Sequence, residues 1–119
     1  AWICSDPEVY GEYGRSELCG FTFTDDGYRT LFQLMKMAYD VKHWKCTNPS
    51  LPILFIGGAD DPCIGNVRKF ASAVQSMRRA GYCDVKGKLY RGMRHEILNE
   101  KNKEQVYRDI AVYIRKKGF

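Results

Sequence analysis

The stretch LPILFIGGADDP, residues 51–62, runs from a continuous apolar segment into two glycines, two aspartates and a proline. An apolar run of this length, bounded by turn residues, reads as a strand over 51–57 that is covered on both faces, the habit of parallel sheets. Parallel strands cannot be joined by a tight hairpin and need a crossover, usually a helix. The residues downstream provide one. From Asn66 onward, Val67, Phe70, Ala71, Val74 and Met77 recur on one helical face, and Gly81 stands where a C-terminal cap belongs. Val85 to Tyr90 then alternates as a second strand, spanning about 84–91. Strand 51–57, helix 66–80 and strand 84–91 make a βαβ unit.

Parallel strands place their carboxyl ends on the same edge of the sheet, where open α/β sheets gather ligands. Asp60-Asp61-Pro62 follows the first strand, and Gly92-Met93-Arg94-His95-Glu96 follows the second. The 34 residues from Asp61 to His95 are about one βαβ unit. Asp-Asp-Pro alone is a common turn composition, and a lone histidine is more often structural than reactive. Meeting at matched strand ends changes both readings, because a carboxylate beside an imidazole orients and charge-stabilises it as a general base. His95 and a carboxylate of the Asp60-Asp61 turn are therefore the candidate catalytic pair. Arg94 and Glu96 read as residues that hold the loop.

Outside this unit, Thr24 reads as an N-cap followed by Asp25 and Asp26, where carboxylates suit the helix dipole. Tyr28, Leu31, Phe32, Met35, Ala38 and Tyr39 carry that helix to about Trp44, and Thr47-Asn48-Pro49-Ser50 ends it. Asn102 and Gln105 resemble a capping box for a last helix through Val106, Ile110, Tyr113 and Ile114. Residues 1–23 read as irregular, with a short Phe21-Thr22-Phe23 run. His43, among Lys42, Trp44 and Lys45, reads as a surface residue.

With 119 residues, 45% hydrophobic and 28% charged, the chain has the composition of one globular domain or part of one. Residues 1–50 hold five Lys/Arg against seven Asp/Glu, a balance of −2, and residues 51–119 hold fourteen against seven, a balance of +7. The basic residues lie on helix faces that also carry acids, and no basic-aromatic motif accompanies them, so no nucleic-acid partner is expected. No window approaches the ~18 apolar residues of a membrane span. The five cysteines, Cys4, Cys19, Cys46, Cys63 and Cys83, are odd in number, widely spaced and without a C-x-x-C pair. That spacing argues against structural zinc and for a reduced, cytoplasmic protein with buried or half-buried thiols. No cofactor is expected.

LPILFIGGADDP followed by LYRGMRHEILNE closely resembles the C-terminal half of α/β hydrolases, nearest to the monoacylglycerol lipase, lysophospholipase and serine aminopeptidase branch. Trp2-Ile3-Cys4-Ser5 and Leu18-Cys19-Gly20-Phe21 resemble the stretch by which that branch leaves its cap and returns to the core. The resemblance implies an incomplete α/β-hydrolase fold over 1–119, with 1–50 as cap exit and helix and 51–119 as a βαβα core. It implies Asp61, the acid directly before proline, as triad acid, Asp60 as a loop carboxylate and His95 as triad base. Ile64 and Met93, and also Phe21 and Phe23, are candidates to line an acyl pocket, although core filling is the commoner role for any one of them. The implied substrate is a carboxylic ester of a lipid or small acyl group. A Gly-x-Ser-x-Gly elbow should precede the acid. Of Ser5, Ser16, Ser50, Ser72 and Ser76, only Ser16 in Gly14-Arg15-Ser16-Glu17-Leu18 comes near, and its second glycine is absent. The oxyanion-hole loop has no counterpart either, so the chain reads as a C-terminal fragment whose nucleophile lies elsewhere. The competing expectation is a stand-alone, non-catalytic α/β interaction module. An unpaired outer edge on the first strand is expected to drive homo-oligomer formation.

Overall fold

The structure is a computed structural model that describes residues 1–118. In chain order it holds α1 (Pro7–Arg15), α2 (Asp25–Ala38), a 3-10 turn (Val41–His43), β1 (Ile53–Gly58), α3 (Val67–Arg79), β2 (Val85–Tyr90) and α4 (Lys103–Lys116). The expected βαβ unit is present. β1 and β2 pair in parallel, with Ile53 opposite Val85 and Gly58 opposite Tyr90.

The chemistry of the crossover helix follows its sequence. Asn66 caps α3 by accepting from the Lys69 N–H at 2.9 Å, and Gly81 adopts a φ of +111° just past its end, a conformation that favours glycine. α3 packs on β2. Gly87 makes that approach close, because a Cβ there would meet Phe70 at 2.9 Å and Val74 at 3.0 Å. Beneath the strand ends, Tyr90, Met93, Ile97 and Val106 form a buried cluster, with Ile56 and Ile110 packed against it.

Several expectations are corrected. β1 begins at Ile53 rather than Leu51, because Leu51 and Pro52 only lead into the ladder. Among the described residues the sheet has two strands, which leaves the outer edge of β1 unpaired, as expected, but Ile53 to Ile56 are half-buried rather than covered on both faces. Residues 1–23 are not all irregular. Asp6 accepts from the Glu8 N–H at 3.0 Å, Pro7 takes the first helical position and Glu8 sits in the first turn, so α1 has a complete set of start signals. α2 stops at Ala38, six residues before Trp44, and the chain re-forms as the 3-10 turn, where His43 Nδ1 lies 2.8 Å from Asp40. The Thr24 cap is as expected, accepting from the Gly27 N–H at 3.1 Å. The capping box at α4 does not form: the Asn102 side chain makes no cap bond, and the Gln105 N–H donates to the Asn102 carbonyl at 3.1 Å. Cys63 and Cys83 are exposed, not buried.

α2 buries none of its residues, and Tyr28, Leu31, Phe32, Leu34, Met35 and Met37 are all exposed. Phe21, Phe23, Tyr28 and Phe32 form a continuous run of ring contacts along it. No helix among the described residues is long and apolar enough to cross a membrane.

Among the glycines, the tightest approach is at the end of β1. A Cβ on Gly58 would lie 2.1 Å from the Arg94 carbonyl oxygen and 2.3 Å from that of Met93. Gly58→Ala is expected to destabilise the protein by about 1–3 kcal/mol, the usual cost of overpacking. Gly14→Ala, in α1 with nothing within 4 Å, should stabilise it by about 0.5–1 kcal/mol. Urea denaturation of the two variants checks both signs, and a neutral Gly58→Ala would refute the close approach.

Candidate active site

Asp61 sits in the turn that closes β1. Its N–H donates to the Gly58 carbonyl at 3.3 Å, and its own carbonyl accepts from the Ile64 N–H at 3.3 Å. One carboxylate oxygen, Oδ1, accepts from the Cys63 N–H at 2.8 Å, the local bond by which aspartate shapes turns. The other, Oδ2, lies 3.0 Å from His95 Nδ1. The Asp61 side chain is 6% exposed and that of His95 is 44% exposed. A carboxylate only accepts, so Nδ1 carries the hydrogen of this bond, and in the neutral ring Nε2 keeps a lone pair. An imidazole held in that tautomer can take a proton from a third group.

The loop carrying His95 is tied down on three sides. Gly92 turns it, with φ +73°. The Asp60 N–H donates to the Met93 carbonyl at 3.0 Å, joining the acid turn to the histidine turn directly. The Glu96 N–H donates to the Ile3 carbonyl at 2.8 Å, Arg94 reaches the Ala1 carbonyl, and the Trp2 ring lies 5.0 Å from the His95 ring. Glu96 itself accepts from the Asn99 amide at 2.7 Å.

Glu100 completes the support, and the sequence reading missed it. It is 1% exposed. Its carboxylate accepts from the Arg94 N–H at 2.7 Å, from the Ser5 N–H at 3.1 and 3.0 Å, and from the Ser5 hydroxyl. A buried carboxylate is costly unless its oxygens are filled, and neutral donors fill these. The signal was a lone acid close behind Ile97 at the edge of an apolar cluster. Its donors lie 95 and 6 residues away, which no local pattern reveals.

Asp61 and His95 open onto a cavity of about 530 Å³, lined also by Met35, Tyr39, Cys63, Ile64, Lys69 and Phe70. Ile64 is thus at the candidate site. Met93 is not among the lining residues: it is 3% exposed and packs in the core cluster. Phe21 and Phe23 lie in the exposed aromatic run and do not line the cavity either. Partial burial pushes the Cys63 thiol pKa up, and the Asp61 charge and hydrogen bond push it further. Tyr90, away from this lining, has its phenol pushed up to about 12 by burial and then by donation to Asp109 at 2.9 Å.

A parallel βαβ unit that brings an acid loop and a histidine loop to one sheet edge is consistent with part of an α/β-hydrolase fold. Residues 1–102 match the family described as serine aminopeptidase, S33, and the chain belongs to that family. A comparison with curated proteins finds no match.

Asp61→Asn removes the negative charge facing the Cys63 thiol. The thiol pKa should fall, the thiolate fraction at pH 7 should rise, and iodoacetamide should alkylate Cys63 several-fold faster. Peptide-level mass spectrometry reads the rate. An unchanged rate would mean that burial alone raises the thiol.

Proposed function

We propose that residues 1–119 form a partial α/β-hydrolase domain of a cytoplasmic serine hydrolase that cleaves carboxylic esters of lipids or small acyl substrates. In this reading, residues 1–50 are a cap-exit segment and helix, and residues 51–119 are the core that carries the acid and the base. The observation that supports it is the 3.0 Å contact between His95 Nδ1 and Asp61 Oδ2 at the mouth of the cavity. Asp61 holds the ring, and Nε2 removes the proton of a serine hydroxyl contributed by chain outside these 119 residues. The same nitrogen, once protonated, passes that proton to the departing alkoxide. Met35, Ile64 and Phe70 give the cavity an apolar wall suited to an acyl chain.

Residues 1–119 alone should hydrolyse p-nitrophenyl esters no faster than background, since loss of a triad nucleophile costs a factor of about 10⁶ in kcat. A fluorophosphonate should leave all five serines unmodified. Joined to a preceding segment with a Gly-x-Ser-x-Gly elbow, the same residues should be active, and His95→Ala should abolish that activity. Stoichiometric labelling of Ser16, or full activity in the His95→Ala protein, would overturn the reading.

The same reading includes self-association. The exposed apolar residues of α2 and the single-sided pairing of β1 support a homo-oligomer formed through the open sheet edge. Light scattering at micromolar concentration should give at least twice the mass of 13.7 kDa. A stable monodisperse monomer would count against it.

A further inference from the structure

The pairing of Asp61 with His95 leaves one reactive group at the same place without a role, the Cys63 thiol. One donor atom from each of Asp61, Cys63 and His95 lies within 4.8 Å of the other two. We propose that these three side chains form a binding site for a borderline-soft divalent cation of the zinc class. Carboxylate oxygen, thiolate sulfur and imidazole nitrogen are all zinc ligands, and three protein ligands with one open position is a usual arrangement for an exchangeable ion.

The geometry is close to what such an ion requires. With zinc–ligand bonds of about 2.0–2.3 Å in a tetrahedron, donor atoms stand roughly 3.3–3.6 Å apart. Closing from the present separations takes about an ångström of side-chain rotation. Asp61 is already steadied by the Cys63 N–H at 2.8 Å, the kind of outer bond that fixes a ligating carboxylate. Cys63 and His95 are exposed and the cavity is open beside them, so the ion has an entry path and room for a water as fourth ligand. Lys69 also lines the cavity and opposes the ion. Two anionic ligands, carboxylate and thiolate, offset it. On binding, the sulfur–hydrogen bond breaks, the sulfur keeps the electron pair and gives it to the cation, and the proton leaves to solvent, while the imidazole gives the lone pair of one ring nitrogen and keeps its hydrogen on the other.

The spacing of the cysteines alone argued against structural zinc, because the set is assembled by the parallel register and not by a local motif. Resting on the proposed hydrolase reading, one consequence follows: the ion occupies the acid and the imidazole, so zinc inhibits the enzyme.

Cobalt(II) is the probe, added to the full chain. It should produce a thiolate-to-cobalt charge-transfer band saturating at one equivalent and quench Trp2, whose ring lies 5.0 Å from His95. Cys63→Ser should remove the band, and Asp61→Asn and His95→Gln should each weaken cobalt binding at least tenfold. Cys83→Ser, at an exposed thiol outside the cluster, should leave the band unchanged. Circular dichroism confirms that each variant is folded. A band that survives Cys63→Ser, or no band at millimolar cobalt, overturns the site whether or not the protein cleaves esters. If the chain joined to a Gly-x-Ser-x-Gly segment is inactive, yet the band forms and is lost with Cys63→Ser, the cation site is supported while the hydrolase reading is not.

Discussion

Gly58 has no side chain, and the space that one would fill is occupied by the Met93 and Arg94 carbonyls. Everything at the candidate site depends on that contact. With β1 ending in a bare backbone, the chain leaving β2 can cross over it and bond across, Ala59 to Tyr90 at 2.8 Å and Asp60 to Met93 at 3.0 Å. These bonds bind the acid turn to the histidine turn as one unit. A side chain at position 58 would lift the second loop from the first and separate two groups that now stand at hydrogen-bond distance.

The two buried carboxylates near His95 work through different parts of it. Asp61 meets the ring, fixing its tautomer and its direction. Glu100 never touches the ring and instead grips the N–H of the preceding residue, Arg94, fixing where the backbone delivers the imidazole. The first is placed by its own turn and the second by a distant segment. Orienting the ring and placing its backbone are therefore divided between an acid facing the cavity and an acid sealed beneath the loop.

The sheet edge was legible because its signals are local. An apolar run closed by Gly57-Gly58, a capped helix and an alternating strand specify the βαβ unit, and that topology brings 61 and 95 to the same edge. α1 was not legible by period, since Tyr10, Gly11, Tyr13 and Gly14 give no apolar stripe, although Asp6-Pro7-Glu8 announces its start. The end of α2 was misread because Val41 and Trp44 continue an apolar spacing that the backbone abandons at Tyr39. Met93 was open to two readings, pocket lining or core filling, and Gly92 turns the chain so that its neighbour enters the core. Glu100 could not be assigned a role, because its function is defined by Ser5 at the other end of the chain.

That last separation has a kinetic meaning. The strands β1 and β2 are in register across 32 residues, whereas the clasp from Ser5 to Glu100 closes a loop of 95. Closing the longer loop costs more chain entropy, though the cost grows only logarithmically, and distant contacts slow folding. The sheet can therefore assemble while the N-terminal segment is still searching, but the histidine loop cannot settle until Ile3 and Ser5 arrive. Local opening should reverse the order, with the first residues peeling away while the ladder between β1 and β2 stays intact. The imidazole then finds its place after the ladder has formed, and loses it while the ladder still stands.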